Sequence, residues 1–134
     1  MNGYDISIIL PGLKPKTWLS IYSDLKKSVG SYTFELVAVG PKSPPQEFLD
    51  LENTIYIKDF GHPSRCTQRG TTVASGKYVT HALEDVELPS SGLENCIRLF
   101  ETRLNRNDGI CVRYYEPDIN PFAPRPPQPP EWPN

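Results

Sequence analysis

The sequence contains no apolar run long enough to cross a membrane, and its first residues lack the basic and apolar regions of a signal peptide. It also lacks an excess of either charge, because the formal net charge is only -2. A nearly neutral chain has no strongly basic surface for nucleic acid or for anionic lipid. These absences predict a cytoplasmic protein with no membrane span and no nucleic-acid partner.

Cysteine occurs at only three positions, Cys66, Cys96 and Cys111, which are far apart and have no CxxC spacing. An odd number of cysteines so spaced argues against a disulfide framework and against structural zinc. The pattern predicts unpaired thiols in a reducing compartment. Cys66 has no convincing base partner in the sequence, which argues against a nucleophilic role.

Three common enzyme motifs are also missing. The first apolar segment is not followed by GxGxxG, and neither GxxxxGK[ST] nor GxSxG occurs anywhere. The first two motifs position phosphates, and the third exposes a nucleophile. Their absence argues against a dinucleotide oxidoreductase, a P-loop enzyme and a hydrolase with a nucleophile elbow.

The 134 residues do contain an alternation of strand-like and helix-like segments, in a length suited to one domain. Apolar, β-branched stretches predict strands at 5–10, 34–39, 54–57, 77–83 and 110–115. Helical spacing of apolar residues predicts helices at 18–29, 46–51, 64–74 and from 91 onward. We therefore predict an α/β domain over residues 1–116, with a doubly wound, mostly parallel, Rossmann-like sheet and helices on both faces.

Two of the predicted helices begin with capping signals. Thr17 is the expected N-cap of the first helix. Ser91 and Glu94 have the spacing of a capping box at the start of the last helix, just beyond Pro89. Both signals are local, so each helix is expected to satisfy its first N–H groups with its own side chains.

The C-terminal segment, residues 117–134, differs from the rest in composition. Eight of the 15 prolines lie there, and no helical or alternating period is present. Such a sequence predicts an extended polyproline II tail. The tail would be a docking peptide for an aromatic groove, a disordered end, or a strap that packs through Phe122 and Trp132. A strap on a neighbouring subunit would give a homo-oligomer.

An acidic cluster, Glu84, Asp85 and Glu87, directly follows the fourth predicted strand. Ligands of open α/β sheets bind in the crevice beyond the carboxyl ends of the strands. A divalent cation that bridges to a phosphate would neutralise the repulsion between these carboxylates. The alternative is a solvated acidic turn.

The order of these features resembles the nucleotide-binding half of a family 2 glycosyltransferase of the GT-A fold, over residues 4–116. The segment 6–11 resembles the family's opening strand and proline. The segment 68–79, Gln-x-Gly-x-x-x-Ala-x-Gly-x-Tyr-Val, resembles its Asn-x-Gly-x-x-x-Ala-x-Gly-x-Tyr-Ile. The segment 83–86, Leu-Glu-Asp-Val, stands where the family carries its Asp-x-Asp metal motif.

The sequence departs from this family pattern in three places. Leu83 replaces the first motif aspartate, Thr67 replaces an arginine, and Gly-Pro-Lys at 40–42 replaces the aspartates that commonly follow the second strand. The family places its acceptor site and general base beyond the strand that ends near Tyr115, where this chain has the Pro-rich tail. The resemblance therefore implies a minimal version with a reduced acceptor region. Such compactness is typical of small viral genomes, in which case the cytoplasm is that of the host.

The resemblance implies a metal-dependent transferase that uses a nucleotide-diphosphate sugar, with a uridine diphosphate (UDP) sugar as the expected donor and a glycan or other hydroxyl acceptor. Mn²⁺ or Mg²⁺ would bind Asp85, with Glu84 or Glu87 as the second ligand. Glu87 is also the candidate general base. The alternatives are a GT-A module that binds nucleotide and metal without catalysis, and an interaction protein that works through its tail.

The nucleotide-binding residues implied by the resemblance lie at the ends of the first three strands and in the third helix. Pro11, Gly12 and Gly40 would let the ligand approach the backbone. Asp59 would accept a hydrogen bond from the uracil imide, or would simply be a turn aspartate. Arg65 and Arg69 would pair with phosphate or stack on the base; we expect Arg69 to point in a different direction from Arg65. The acidic residues Glu84 and Asp85 complete the set.

Overall fold

The computed structural model describes residues 3–105 and 107–111. Along the chain it contains β1 (Ile6–Pro11), a short 3-10 helix (Pro15–Thr17), α1 (Trp18–Val29), β2 (Phe34–Gly40), α2 (Gln46–Leu49), β3 (Thr54–Lys58), α3 (Pro63–Val73), β4 (Tyr78–His81) and α4 (Gly92–Thr102). The predicted tail lies outside the described residues. The predicted last strand, 110–115, also lies outside the described residues, except for 110 and 111. These two residues are described and are not in a strand.

The four strands form one parallel sheet in the order β3-β2-β1-β4. In the centre, Ile6 of β1 lies opposite Phe34 of β2 and Tyr78 of β4. Parallel neighbours need crossover connections, and α1, α2 and α3 provide them in turn. The predicted α/β class is therefore confirmed as a parallel sheet flanked by helices, an arrangement consistent with a Rossmann-like fold.

Alternate residues of the central strands face two different cores, because successive side chains of a strand point to opposite faces. One core joins the sheet to α1, α2 and α4 through Ile8, Leu10, Leu36, Trp18, Leu25, Phe48 and Ile97. The other joins the sheet to α3 through Ile9, Val37, Val39 and Cys66. The prediction of helices on both faces is thus confirmed.

Among the described residues, no helix combines the length and apolar character that a membrane crossing requires.

A buried polar network fixes the connection between α3 and β4 to the sheet. Glu35 is only 3% exposed, and its Oε1 accepts hydrogen bonds from Ser7 Oγ at 2.6 Å and from Ser75 N at 2.7 Å. Ser7 Oγ in turn accepts from Gly76 N at 2.8 Å. A buried carboxylate is costly unless it is hydrogen-bonded, so these bonds hold the start of β4 against β1.

Neither predicted N-cap side chain caps its helix. Thr17 Oγ1 donates to the carbonyl oxygen of Lys14 at 2.7 Å, within the 3-10 turn that precedes α1. At α4, Ser91 has a φ of 61° and makes no side-chain cap. Leu93 N instead donates to Ser28 Oγ of α1 at 3.0 Å. The capping-box prediction is wrong because α1 packs beside α4 and provides the acceptor that we expected from within α4.

The helix α3 approaches the sheet most closely at Gly70. A Cβ atom there would lie 2.5 Å from Ile9 Cγ2 and 3.3 Å from Val39 Cγ2. Both methyl groups belong to buried strand residues, so they have little freedom to move aside. The small residue therefore sets the distance between α3 and the sheet.

We expect Gly70→Ala to destabilise the protein by about 1 kcal/mol, because overpacking of about 2 kcal/mol, the middle of the usual range, exceeds the helix-propensity gain of alanine, about 1 kcal/mol. Urea unfolding would measure the change. Gly109→Ala is the matched control, since a Cβ atom there meets nothing within 4 Å. Equal stability of the two variants would contradict close packing at Gly70.

Candidate functional site

A cleft of about 470 Å³ lies over the carboxyl edge of the sheet. Its walls include residues 11–13 at the end of β1 and beyond it, 40–41 at the end of β2 and beyond it, 60–63 before and at the start of α3, and 83–85 after β4. The chain moves from β1 outward to β3 and then returns to place β4 on the other side of β1. Open α/β sheets commonly bind ligands at such a switch point.

The floor of the cleft is formed where the loops after β1 and β2 touch. Gly12 N donates to the carbonyl oxygen of Val39 at 3.0 Å, and a Cβ atom on Gly40 would collide with the carbonyl oxygen of Gly12. The predicted nucleotide-contacting residues Pro11, Gly12 and Gly40 all line the cleft. The close approach observed at these glycines is between two backbone segments, and contact with a ligand stays a prediction.

Glu84 lies at this edge with both carboxylate oxygens hydrogen-bonded. Oε1 accepts from Leu13 N at 2.8 Å, and Oε2 accepts from Lys14 N at 2.7 Å and from Trp18 Nε1 at 2.8 Å. Two of the three donors, Leu13 N and Lys14 N, belong to the loop after β1, so Glu84 holds this loop in place. A metal ion bound to Glu84 would have to displace some of these bonds.

The partner Trp18 is fully buried at the start of α1. Its ring packs against Phe48 of α2 and Tyr56 of β3, with centroid distances of 5.5 and 5.9 Å. Tyr56 also donates its hydroxyl to the carbonyl oxygen of Gly40 at 2.8 Å. Glu84 therefore connects the loop after β4 to the centre of the hydrophobic core.

The other two acidic residues are more accessible. β4 ends at His81, earlier than predicted, and Glu84 and Asp85 lie in a turn in which Val86 N donates to the carbonyl oxygen of Leu83 at 3.3 Å. The Asp85 side chain is 82% exposed and forms a salt bridge of 3.0 Å with Lys14. The hydrogen bond to Asp85 and its charge raise the pKa of Lys14. Glu87 is exposed.

The acidic residues fit a metal ion only in part. Within the described ranges, no three His, Cys, Asp or Glu side chains are grouped so that they could hold a metal ion. Asp85 nevertheless suits a cation that takes one protein carboxylate and completes its shell with ligand phosphates and water, as Mg²⁺ commonly does. Of the three predicted ligands, Asp85 alone is both exposed and at the cleft wall.

At the opposite end of the cleft, Asp59 is buried, with a side chain only 2% exposed. Its Oδ1 accepts from Gly61 N at 2.6 Å, which is the turn role that the sequence left open. Its Oδ2 pairs with Arg69 Nη1 at 2.8 Å and with Arg65 Nε at 3.3 Å. Both oxygens are therefore engaged within the protein.

The expectation that Arg69 points away from Arg65 is wrong. The two residues are four positions apart in α3, and residues at that spacing share one helix face. Both side chains consequently reach the same carboxylate oxygen of Asp59. Together with Lys58 and Phe60 they line a second, smaller depression of about 300 Å³ beside the cleft.

Phe60 was not among the predicted site residues; it lies between Asp59 and Gly61 and is 79% exposed. Its ring lines both the cleft and the smaller depression. An aromatic residue directly beyond the end of a strand was the available signal, because strand ends at this edge surround the ligand crevice.

Comparisons with known proteins give no match: no protein-family profile fits this chain, and no curated protein sequence resembles it significantly. Any functional conclusion therefore depends on the geometry of the cleft and on the residues around it.

We expect Glu84→Ala to lower the free energy of unfolding by about 1–3 kcal/mol, because Nε1 of the buried Trp18 would lose its acceptor. Urea unfolding followed by tryptophan fluorescence would measure this. Glu87→Ala removes an exposed carboxylate from the same acidic cluster and should change stability by no more than about 0.5 kcal/mol. If both variants matched the wild type, Glu84 would not hold the β1 loop.

We also expect the contribution of Asp59 to stability to depend on pH. The hydrogen bond from Arg69, followed by that from Gly61 N, lowers the pKa of Asp59. Because the folded pKa lies below the unfolded value of about 3.9, the contribution is complete above that pH and is lost as the pH falls through the folded pKa. The stability difference between wild type and Asp59→Asn should therefore be largest near neutral pH and shrink in acid. A difference that is independent of pH would contradict this ion-pair cluster.

Proposed function

We propose that the chain binds a nucleoside diphosphate sugar in the cleft and transfers the sugar to a hydroxyl acceptor, as a metal-dependent glycosyltransferase of the GT-A type does. A UDP-sugar is the expected donor. The observation that carries the proposal is the composition of the cleft. Loops after all four parallel strands contribute to it, with the exposed Asp85 at one end and the turn at Asp59 at the other.

In the proposed reaction, the acceptor oxygen forms a bond to the anomeric carbon of the sugar. The bond from that carbon to the diphosphate oxygen breaks, and its electron pair remains on the diphosphate. A divalent cation held by Asp85, when bound, would stabilise the charge on the departing diphosphate. The acceptor proton passes to a carboxylate base, and Glu87, exposed two residues after Asp85, is the candidate.

Lys14 is well positioned to assist at the diphosphate end. Its ammonium group lies 3.0 Å from Asp85 Oδ1, and its side chain is 60% exposed. It can therefore turn toward a phosphate while Asp85 takes up the cation. Its backbone N–H is fixed by Glu84, so the position of the side chain depends on the hydrogen bonds of that carboxylate.

A second candidate function is a module that binds nucleotide without transferring a sugar. It is favoured by the hydrogen bonding of Glu84, whose two oxygens already accept from three N–H donors, which leaves little of this carboxylate for a cation. The third hypothesis, an interaction protein that works through residues 117–134, depends on a segment outside the described residues.

We expect UDP to bind the purified protein in the presence of Mn²⁺ and to bind at least about tenfold more weakly with a chelator or in Asp85→Asn, which corresponds to about 1.4 kcal/mol. Isothermal titration calorimetry would measure both effects. Asp50→Asn is the matched control, because Asp50 is an exposed aspartate at the end of α2 whose contact is with Gln46. It should bind as the wild type does.

A donor-hydrolysis assay would then separate the two candidates. Release of sugar from a UDP-sugar by the wild type, lost in Glu87→Gln while UDP binding is retained, would support a transferase. Tight UDP binding with no release would support the binding module. Absence of UDP binding with and without Mn²⁺ would contradict both.

A further inference from the structure

Exposed apolar side chains are concentrated at the cleft. The three most exposed large apolar residues of the described ranges are Phe60 at 79%, Leu13 at 63% and Leu83 at 58%. All three line the cleft, although they follow three different strands. Single exposed apolar residues are ordinary, but a group of them around one depression marks a binding surface.

The turn that carries Phe60 is held from both sides. Asp59 N donates to the carbonyl oxygen of Gly40 at 3.0 Å. The Asp59 carboxylate accepts from Gly61 N at 2.6 Å and is paired with the two arginines of α3. The backbone on each side of Phe60 is therefore anchored, and its ring is kept at the surface instead of folding into a core.

One side of the Phe60 ring is associated with a cation. Lys58 Nζ lies 5.6 Å from the ring centroid, within the range of a cation–π contact. Lys58 lines the smaller depression and is not part of the cleft wall, whereas Phe60 lines both. Phe60 is therefore shared by the two depressions, and at 79% exposure it presents apolar surface to the cleft as well as to Lys58.

We propose that Phe60 is the platform on which the nucleobase of the bound nucleotide stacks, an inference that rests on the function proposed above. Phe60 follows β3 and Asp85 follows β4, at opposite edges of the described sheet. Three interstrand spacings separate these edges, about 14 Å. An extended nucleoside diphosphate has a flat base at one end and its charge at the other, which matches this separation of an exposed ring from an exposed carboxylate.

Stacking also explains how the base is held when Asp59 is unavailable. The Asp59 side chain is only 2% exposed, and both of its oxygens already accept hydrogen bonds within the protein, so a uracil imide cannot reach it in this arrangement. Stacking on an aromatic ring tolerates every base, because each base has a π face. Phe60 therefore contributes affinity without selecting uracil, and its loss should affect UDP and ADP alike.

The test is calorimetric titration of UDP, ADP and inorganic diphosphate into wild type, Phe60→Ala and Phe60→Tyr, all with Mn²⁺. Base–aromatic stacking of about 1–3 kcal/mol corresponds to a loss of about five- to 150-fold in affinity for both nucleotides in Phe60→Ala. Phe60→Tyr keeps a ring and should bind within about twofold of wild type. Inorganic diphosphate has no base, so it should bind all three proteins equally.

The outcomes separate this inference from the proposed function. If wild type binds UDP and Phe60→Ala binds it equally well, stacking on Phe60 is wrong and nucleotide binding stands. If Phe60→Ala weakens inorganic diphosphate as much as UDP, the residue shapes the cleft and does not stack on the base. If wild type binds neither nucleotide, both proposals are overturned. Val79→Ala, at a half-exposed apolar residue on β4 outside the cleft, is a control for loss of apolar surface.

Discussion

The hydrogen bonds of Glu84 hold together the edge of the sheet on which the cleft is built. One carboxylate accepts two backbone N–H groups of the β1 loop and the indole N–H of Trp18. Trp18 is fully buried and packs against α2 and β3, so the contact couples the loop after β4 to elements at the other side of the sheet. Hydrogen bonds to a charged acceptor are stronger than those between neutral groups, and here they position Lys14 next to Asp85.

The two ends of the cleft differ in their electrostatic character. At the β4 end, Asp85 is exposed and forms an ion pair with the exposed side chain of Lys14. At the β3 end, Asp59 is buried and forms ion pairs with Arg65 and Arg69. These ion pairs fix the turn that carries Phe60. Exposed ion pairs contribute little to stability, so the Lys14 pair can open for a ligand at small cost. The cluster around Asp59 is part of the scaffold, and the exposed ring of Phe60 lies beside it.

Expectations based on the sequence were accurate for the elements of the fold and less accurate for contacts between them. Strand and helix positions followed from apolar periodicity, and the end of β4 was misplaced by two residues because the acidic segment turns away after His81. Pro11, Gly12 and Gly40 line the cleft at the carboxyl edge of the sheet, and their contact with a ligand stays a prediction. The expected cap at Ser91, the direction of Arg69 and the importance of Phe60 were missed, because each depends on which element packs alongside.

What the sequence by itself determined is the alternation of strands and helices, and with it an α/β domain with a parallel sheet whose carboxyl edge carries an acidic segment. These features are local, since periodicity and turn residues act within a few positions. Only the tertiary structure decided which groups satisfy one another: Leu13 N and Glu84 are 71 positions apart, and Leu93 N and Ser28 are 65 apart. Buried donors and acceptors must be paired, but the choice of partner depends on the packing of whole elements. That choice made Glu84 a support for the cleft and left Asp85 and Phe60 accessible at its two ends.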